Sequence, residues 1–418
     1  MASLNPKKSE VRGLSPETEV SFLPMASVGE LGGGLSLEAT RALGDALEGY
    51  TYFRDGDVVF AKITPCFENG KGALAEGLTN HIGLGTTELT VLRPGSALDK
   101  RFLFYITQSD HFRKIGAGAM YGAGGQKRVP EQFARDLRHA MPPLDEQRAI
   151  VDFLDRETAK IDALVAKKER LIELLQEKRT ALTTHAVTKG LNPDAPMKSS
   201  GVEWLGDVPA HWGMTFLDKV TDPVRRITYG IVQPGLPDPG GRFMVRGQDY
   251  SRGWARPETV FRVSEQIEVP YRRARLRPGD IVMTIVGAGT GNVAVVPTWL
   301  DGANITQTTA RIAVSDREGH YPFFALLLES RVGRTNVELT AKGAAQPGIN
   351  LGHLAKYRVP VPPLAEQIEI STYLQAQITA IEGLTAKVQE AIERLKEFRA
   401  ALISAAVTGK IDVRQEVA

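Results

Sequence analysis

The sequence predicts an α+β chain in which one plan is built twice. Two similar mixed domains are separated by two long helices that form an antiparallel coiled coil, related by a pseudo-twofold repeat. Three observations predict this. The segment PPLDEQRAIVDFLDRETAKIDALVAKKERLIELLQEKRTALTTHAVT at 142–188 returns as PPLAEQIEISTYLQAQITAIEGLTAKVQEAIERLKEFRAALISAAVT at 362–408, with no gap. Such a duplication is sought before any other feature. Both copies carry apolar residues on a seven-residue step, the mark of a coiled-coil helix. Each copy also follows a diverged stretch of domain size, in which strand and turn signals run in the same order.

In chain order, the first domain covers 1–141. FRDGDVVFAKI at 53–63 is a Gly-Asp turn entering a short β-branched strand, and GTTELTVLRP at 85–94 is another strand. RFLFYITQSDHFRKIG at 101–116 reads as one amphipathic helix, followed by a Gly-rich loop holding Gln126. The first long helix takes 142–190. Pro142–Pro143 end a preceding strand and open the helix. Leu154, Ile161, Leu175 and Leu182 form its seven-residue row, with Ile150, Leu164 and Leu171 in a second row. Lys168 and Lys178 interrupt heptads, as register-setting polar core positions do. Asp145 is a candidate N-cap, although Ala365 replaces it in the second copy, and Gly190 sits at the C-cap.

Residues 191–361 hold the linker LNPDAPMKSSG and the second domain. LRPGDIVMTIV at 276–286, ITQTTARIAV at 305–314 and YPFFALLLESRVGRT at 321–335 repeat the turn, strand and helix of the first domain. Gln346 follows on a Gly-rich loop, 220 positions after Gln126. The second long helix takes 362–410, with Leu374, Ile381, Val388, Leu395 and Leu402 in its main row. Ile370, Leu384 and Phe398 lie beside them, Gly409 caps the end, and 411–418 form a tail. A compact domain usually has its termini close together. The second helix therefore starts near where the first ended and runs back antiparallel. About forty residues at ~1.5 Å each make a rod of roughly 60 Å, near two DNA turns of ~34 Å. A coiled coil that serves only to dimerise is the other reading of the heptads, and the rival function is a coiled-coil adaptor that does not bind DNA and whose arms bind protein.

The bulk numbers bound the class. The 418 residues suit two to four domains, and 42% hydrophobic with 24% charged residues is ordinary for a soluble chain. The single cysteine, Cys66, excludes a disulfide framework and a cysteine-based zinc site, and fits a reducing, cytoplasmic location. Ile281–Pro297 is too short and polar to span a bilayer, and Lys7, Lys8 and Glu10 stand where a signal peptide would be apolar. Net charge is +2, so any nucleic-acid surface must come from local clustering. GAGTG at 287–291 is followed by NVAVV, a strand rather than the helix of a dinucleotide site, and reads as a hairpin turn. No phosphate-binding Gly-Lys-Ser/Thr loop or Asn/Asp-Pro-Pro-aromatic motif occurs. The histidines are scattered, His185 lies on a helix with no ligand partner, and Cys66 reads as packed. The expectation is a chain with no catalytic residues, no metal and no cofactor.

PPLDEQ and PPLAEQ opening long heptad helices, together with VSFLPMASV, GDVVFAKITPCFENGKG, GTTELTVLRP and WLGDVPAHW (204–212), resemble a specificity subunit of a Type I restriction–modification system over essentially the whole chain. The first arm departs from the pattern: SLNPKKSEVRG opens it without the Trp-containing lead-in of the second, so its first strand is expected to be missing. The resemblance implies a subunit without catalysis, its two domains being target-recognition domains that each read half of a bipartite, asymmetric sequence in double-stranded DNA. The helices would set the gap between the halves. Two methyltransferase subunits would dock on the helices and use S-adenosylmethionine. Motor–nuclease subunits, with ATP and Mg, would complete the complex.

Candidate DNA contacts are basic and amide residues on loops. The first arm offers Lys62, Lys71, Arg113, Lys114, Gln126, Lys127 and Arg128. The second offers Arg225, Arg226, Arg246, Arg272, Arg273, Arg275 and Gln346. Arginine pairs bidentately with guanine or clamps phosphates; an ordinary charged surface is the alternative for the run YRRARLRPGD. Gln126 and Gln346 share a position, and an amide reads adenine bidentately. Their alternative role is to hold the loop against the helix start. Tyr121, Tyr229 and Trp254 suit stacking on bases or packing in a core.

Overall fold

The computed structural model describes residues 2–123, 125–317, 319–341 and 348–413. Gln346 lies outside the described residues. The chain divides into two compact units, residues 1–170 with 388–418 and residues 171–387. Each long helix gives one half to each unit.

In unit one the strands are β1 (Ala2–Leu4), β2 (Glu19–Leu23), β3 (Thr40–Ala42), β4 (Thr51–Arg54), β5 (Val58–Ala61), β6 (Gly72–Leu74), β7 (Ile82–Gly85) and β8 (Leu89–Pro94). They form two four-stranded sheets, ordered β1-β8-β5-β6 and β3-β2-β7-β4. Among the described residues of this unit, only the β2–β7 pair of strands is parallel. Among the described residues the helices are the short α1 (Leu43–Ala46), α2 (Lys100–Gln108), α3 (Asp110–Gly118) and α4 (Glu131–Asp136), followed by the long α5 (Leu144–Lys189).

Unit two opens with the pair β9 (Met197–Ser199) and β10 (Asp207–Pro209), then β11 (Gly213–Phe216), β12 (Thr228–Tyr229), β13 (Arg242–Val245) and β14 (Arg262–Val263). After the short α6 (Glu265–Glu268) come β15 (Ile281–Thr284), β16 (Val293–Val295), β17 (Asn304–Ile305) and β18 (Thr309–Ile312). Helices α7 (Tyr321–Glu329), α8 (Arg331–Thr340) and α9 (Leu351–Ala355), strand β19 (Arg358–Val361) and the long α10 (Leu364–Val407) complete it. Sheet order β12-β18-β15-β16 repeats β1-β8-β5-β6, and the sheet β14-β13-β17 again holds one parallel pair, β13–β17.

The Gly-Asp turns show why the repeat survives divergence. Gly56 and Gly279 turn the chain at φ 88° and 86°, where a side chain is strained. Asp57 Oδ2 then accepts from the Arg54 amide at 2.9 Å, and Asp280 Oδ2 from the Arg277 amide at 2.8 Å. Both aspartates are buried and each needs a cation. Arg93 Nε and Nη2 donate to Asp57 at 2.6 and 2.7 Å, and Arg225 Nη1 donates to Asp280 at 2.8 Å. The GAGTG loop joins β15 to β16, which are antiparallel, so it is the expected hairpin connection.

The single helices expected at 101–116 and 321–335 are each two helices. Ser109 ends α2 and its hydroxyl accepts from Phe112 N to cap α3; Ser330 does the same before α8, accepting from Val332 N. The apolar face continues across both breaks, which hides them from periodicity.

These helix pairs hang from the long helices by matched bonds. In unit one, Gln147 at the start of α5 accepts from Asp99 N at 2.8 Å, and Ser404 near the end of α10 accepts from Asp110 N at 2.8 Å. In unit two, Gln367 at the start of α10 accepts from His320 N at 2.8 Å, and Thr184 near the end of α5 accepts from Arg331 N at 3.3 Å. Gln367 and Ser404 stand 220 positions after Gln147 and Thr184. Each unit thus joins the first half of one long helix to the second half of the other, which makes the pairing antiparallel. Arg399 on α10 reaches Asp162 on α5 at 2.9 Å, fixing that direction in unit one.

The main heptad row is inward: Leu154, Ile161, Leu175, Leu374, Ile381 and Val388 are buried. Leu182, Leu395 and Leu402 are half-buried. In the second row Ile150 and Ile370 are buried, but Leu164, Leu171, Leu384 and Phe398 are exposed. Lys178 is exposed rather than a core position, and Lys168 is half-buried. A two-helix pairing covers a narrow stripe, so the flanking row stays outside. Asp145 lies inside the first turn and pairs with Arg148 at 3.6 Å, so it is not the N-cap. Gly190 and Gly409 take φ 77° and 69° at the helix ends, as C-terminal caps do.

The expected strand before Pro142 is absent among the described residues, whereas β19 precedes Pro362 and pairs with β11. The Trp212 lead-in supplies that partner. Trp212 is buried and donates to Glu366 at 3.0 Å. Residues 138–141, which correspond to β19, find no such strand. The first arm nonetheless has its sheet-edge strand, β1 on β8.

Candidate nucleic-acid interface

The candidate contacts fall into two groups once their partners are known. In unit one, Arg113 and Lys114 both pair with Asp110, at 2.5 and 3.5 Å. Lys71 donates to the Met25 carbonyl at 3.3 Å. Arg128 grips Glu88, with Nε to Oε2 at 2.9 Å and Nη2 to Oε1 at 2.7 Å. The Arg128 bonds hold the Glu88 carboxyl below its usual range. In unit two, Arg225 is bound to Asp280, Arg246 to Asp249 at 3.2 Å, and Arg275 to Glu268 at 2.7 Å. These charges are committed within their own arm.

The other group is free to meet a ligand. Gln126 and Lys127 are exposed on a loop pinned by Thr64, which donates to Gly125 O at 2.8 Å and accepts from Lys127 N at 3.0 Å. Lys62 is half-buried near Glu88. Arg272 and Arg273 are exposed on a 3₁₀ turn, Val269–Ala274, and neither side chain has a partner among the described residues. Arg226 is exposed and makes only a 3.3 Å bond to Pro223 O.

The backbone under these arginines is anchored. Arg311 on β18 is buried and donates to the Arg226 carbonyl at 2.8 Å. Arg225 donates to the Arg275 carbonyl at 3.3 Å. Burial, with Arg225 beside it, pushes the Arg311 guanidinium down to about 10. Two inner arginines therefore hold the segments that present three outer ones. This splits the YRRARLRPGD run: Arg275 is structural, and Arg272 with Arg273 face outward.

Of the aromatic candidates, Trp254 is half-buried against a core cluster: its indole donates to Val295 O at 2.9 Å and packs near Tyr250 and Trp299. Tyr121 and Tyr229 are exposed. Cys66 is half-buried against an apolar cluster. Sequence reasoning passed over the arm-to-helix ties of Gln147, Gln367, Thr184 and Ser404. Their signal was their recurrence at a constant offset.

The two arms share one plan, each tied to one half of each long helix and each presenting exposed cations or amides. Residues 252–394 match the family model described as the Type I restriction modification DNA specificity domain. The chain is similar to specificity subunits of Type I restriction–modification systems. It is 40% identical to the Type I restriction enzyme EcoEI specificity subunit of Escherichia coli over 36% of this chain and 25% of that one. The matched stretch thus spans about a quarter of that relative's length. It is 28% identical to the EcoBI specificity subunit of Escherichia coli over 75% of this chain and 66% of that one. In fold it resembles a chain solved in a study of complex assembly and conformational transition of the type I R-M system, with a TM-score of 0.66 at 20% identity over 95% of this chain and 93% of that chain.

Proposed function

We infer that this chain is a non-catalytic subunit that gives a Type I complex its DNA sequence specificity. Each arm reads one half of a bipartite, asymmetric duplex target, and the paired helices set the gap. One observation carries the reading: the arm-to-helix ties recur at matching positions of the two long helices, while the exposed residues of the two arms differ. A common mount with unlike tips suits two unlike half-sites.

The helices also offer repeated docking points. Leu164 and Leu384 stand 220 positions apart and are 43% and 45% exposed. An exposed leucine at the same place in each copy suits two copies of one partner, the methyltransferase subunits. Motor–nuclease subunits join that assembly. S-adenosylmethionine, ATP and Mg serve those partners rather than this chain. No helix among the described residues is long and apolar enough to cross a membrane, and the proposed setting is the cytoplasm, where its DNA is.

The test is selection from a random duplex pool with the purified complex of this chain and its methyltransferase. Enrichment of two short motifs at a constant spacing supports the reading. Unselective recovery of DNA, or none, refutes it.

A further inference from the structure

We propose that a depression of about 480 Å³ in the second arm is its base-reading pocket, and that Gln248, Asn292 and Gln307 specify adenine·thymine pairs there. The proposal rests on the DNA-reading role inferred above and adds the pocket, the readers and the base class.

All three amides line the depression, all three are exposed, and none makes a side-chain hydrogen bond among the described residues. The chain treats its structural amides differently. Gln147, Gln367 and Asn304 are buried and bonded. A free amide carries a donor and an acceptor side by side, the complement of adenine N6–H and N7. Val232 and Val286 line the same depression and are 40% and 37% exposed. Exposed methyl groups beside an amide suit the thymine C5-methyl.

The guanine-reading side chain is spent. Arg246 also lines the depression, but its Nε and Nη2 donate to Asp249 at 3.3 and 3.2 Å, and its guanidinium lies 5.5 Å from the Phe261 ring centre. Its fork is turned to its own loop.

The walls are held in place, as discrimination requires. A Cβ on Gly247 would come within 2.9 Å of Thr284 Oγ1, and one on Gly230 within 1.8 Å of the Ile305 carbonyl. Only glycine lets these loops sit so close. Tyr250 and Thr284 share a buried hydroxyl bond of 2.7 Å beneath, and Gln307 N donates to Ile231 O at 2.9 Å. The matching position in the first arm differs in kind. Glu88 replaces Thr308 at the 220 offset, and Arg128 binds it. The first arm therefore reads by a different chemistry.

The experiment maps adenine methylation made by the full chain with its methyltransferase, for the natural chain and for Gln248→Ala, Asn292→Ala and Gln307→Ala. If the natural chain yields no bipartite motif, the functional reading fails and this proposal falls with it. If it does, the expected result is relaxation of A·T positions in one half-site of the motif, with the other half unchanged. Affinity for the natural target should fall roughly ten- to a hundred-fold per reader. Gln307→Glu keeps the shape but removes the donors, and should disfavour adenine at one position. An intact motif in all three alanine variants overturns the proposal. So does relaxation confined to positions of G·C.

Discussion

Gln147→Ala removes the tie between the first long helix and the first arm. The side chain is buried and makes three hydrogen bonds: it accepts from Asp99 N at 2.8 Å and donates to Ala97 O at 3.1 Å and Pro142 O at 2.8 Å. Each such bond contributes about 1 kcal/mol net. The expected loss for the three bonds together is ~2–3 kcal/mol. Gln367→Ala breaks two bonds, to His320 N and Pro362 O, and should cost ~2 kcal/mol. The assay is native-state hydrogen exchange on the full chain, read at the amides of Asp99 and His320. Gln147→Ala should speed exchange at Asp99 by about ten- to a hundred-fold and leave His320 unchanged; Gln367→Ala should do the reverse. Unaltered exchange at both amides would refute the claim that the repeated glutamine is the mount of each arm.

Other outcomes follow from the same geometry. Glu268 is buried and bound by Arg275 and Asn304, and the Arg275 bonds hold its carboxyl below the usual range. That contribution is present above the unfolded carboxyl value of about 4.3 and is lost as pH falls through the lower folded value. Stability of unit two, read by urea denaturation between pH 7 and pH 3, should therefore fall less steeply in Glu268→Gln; an identical pH slope would contradict this. Arg272→Ala with Arg273→Ala should weaken DNA binding across sequences and reduce the salt slope by about 2 if both touch phosphates. A changed methylation motif would show base reading instead, and unchanged affinity and motif would remove both from the interface. Seven residues inserted into each long helix, after Arg170 and after Lys387, add ~10 Å. The gap between half-sites should grow by about three base pairs at ~3.4 Å each, and an unaltered gap would mean that the helices are not the spacer.

Much of the fold was legible because it is written twice. A constant offset exposed the helices, and the same offset marks Gln367 and Ser404 as the mates of Gln147 and Thr184. The Gly-Asp turns were legible because their chemistry is local, within four residues. The breaks at Ser109 and Ser330 were not, because both helices of each pair keep one apolar face. The state of the arginines was not legible either. Arg225 meets Asp280 across 55 positions, and Arg128 meets Glu88 across 40. Nothing in a run of arginines separates Arg275, held by Glu268, from Arg272 and Arg273 beside it. The exposed second row at Leu164 and Leu384 follows from how little of a helix one partner covers, which heptad spacing does not state.

The most direct test of the account is adenine-methylation mapping of a genome in cells that express the proposed methyltransferase partner, with and without the chain. The account predicts a bipartite motif with a constant gap that appears only when the chain is present. Methylation of the same sites without it, or a single undivided motif with it, would contradict the account.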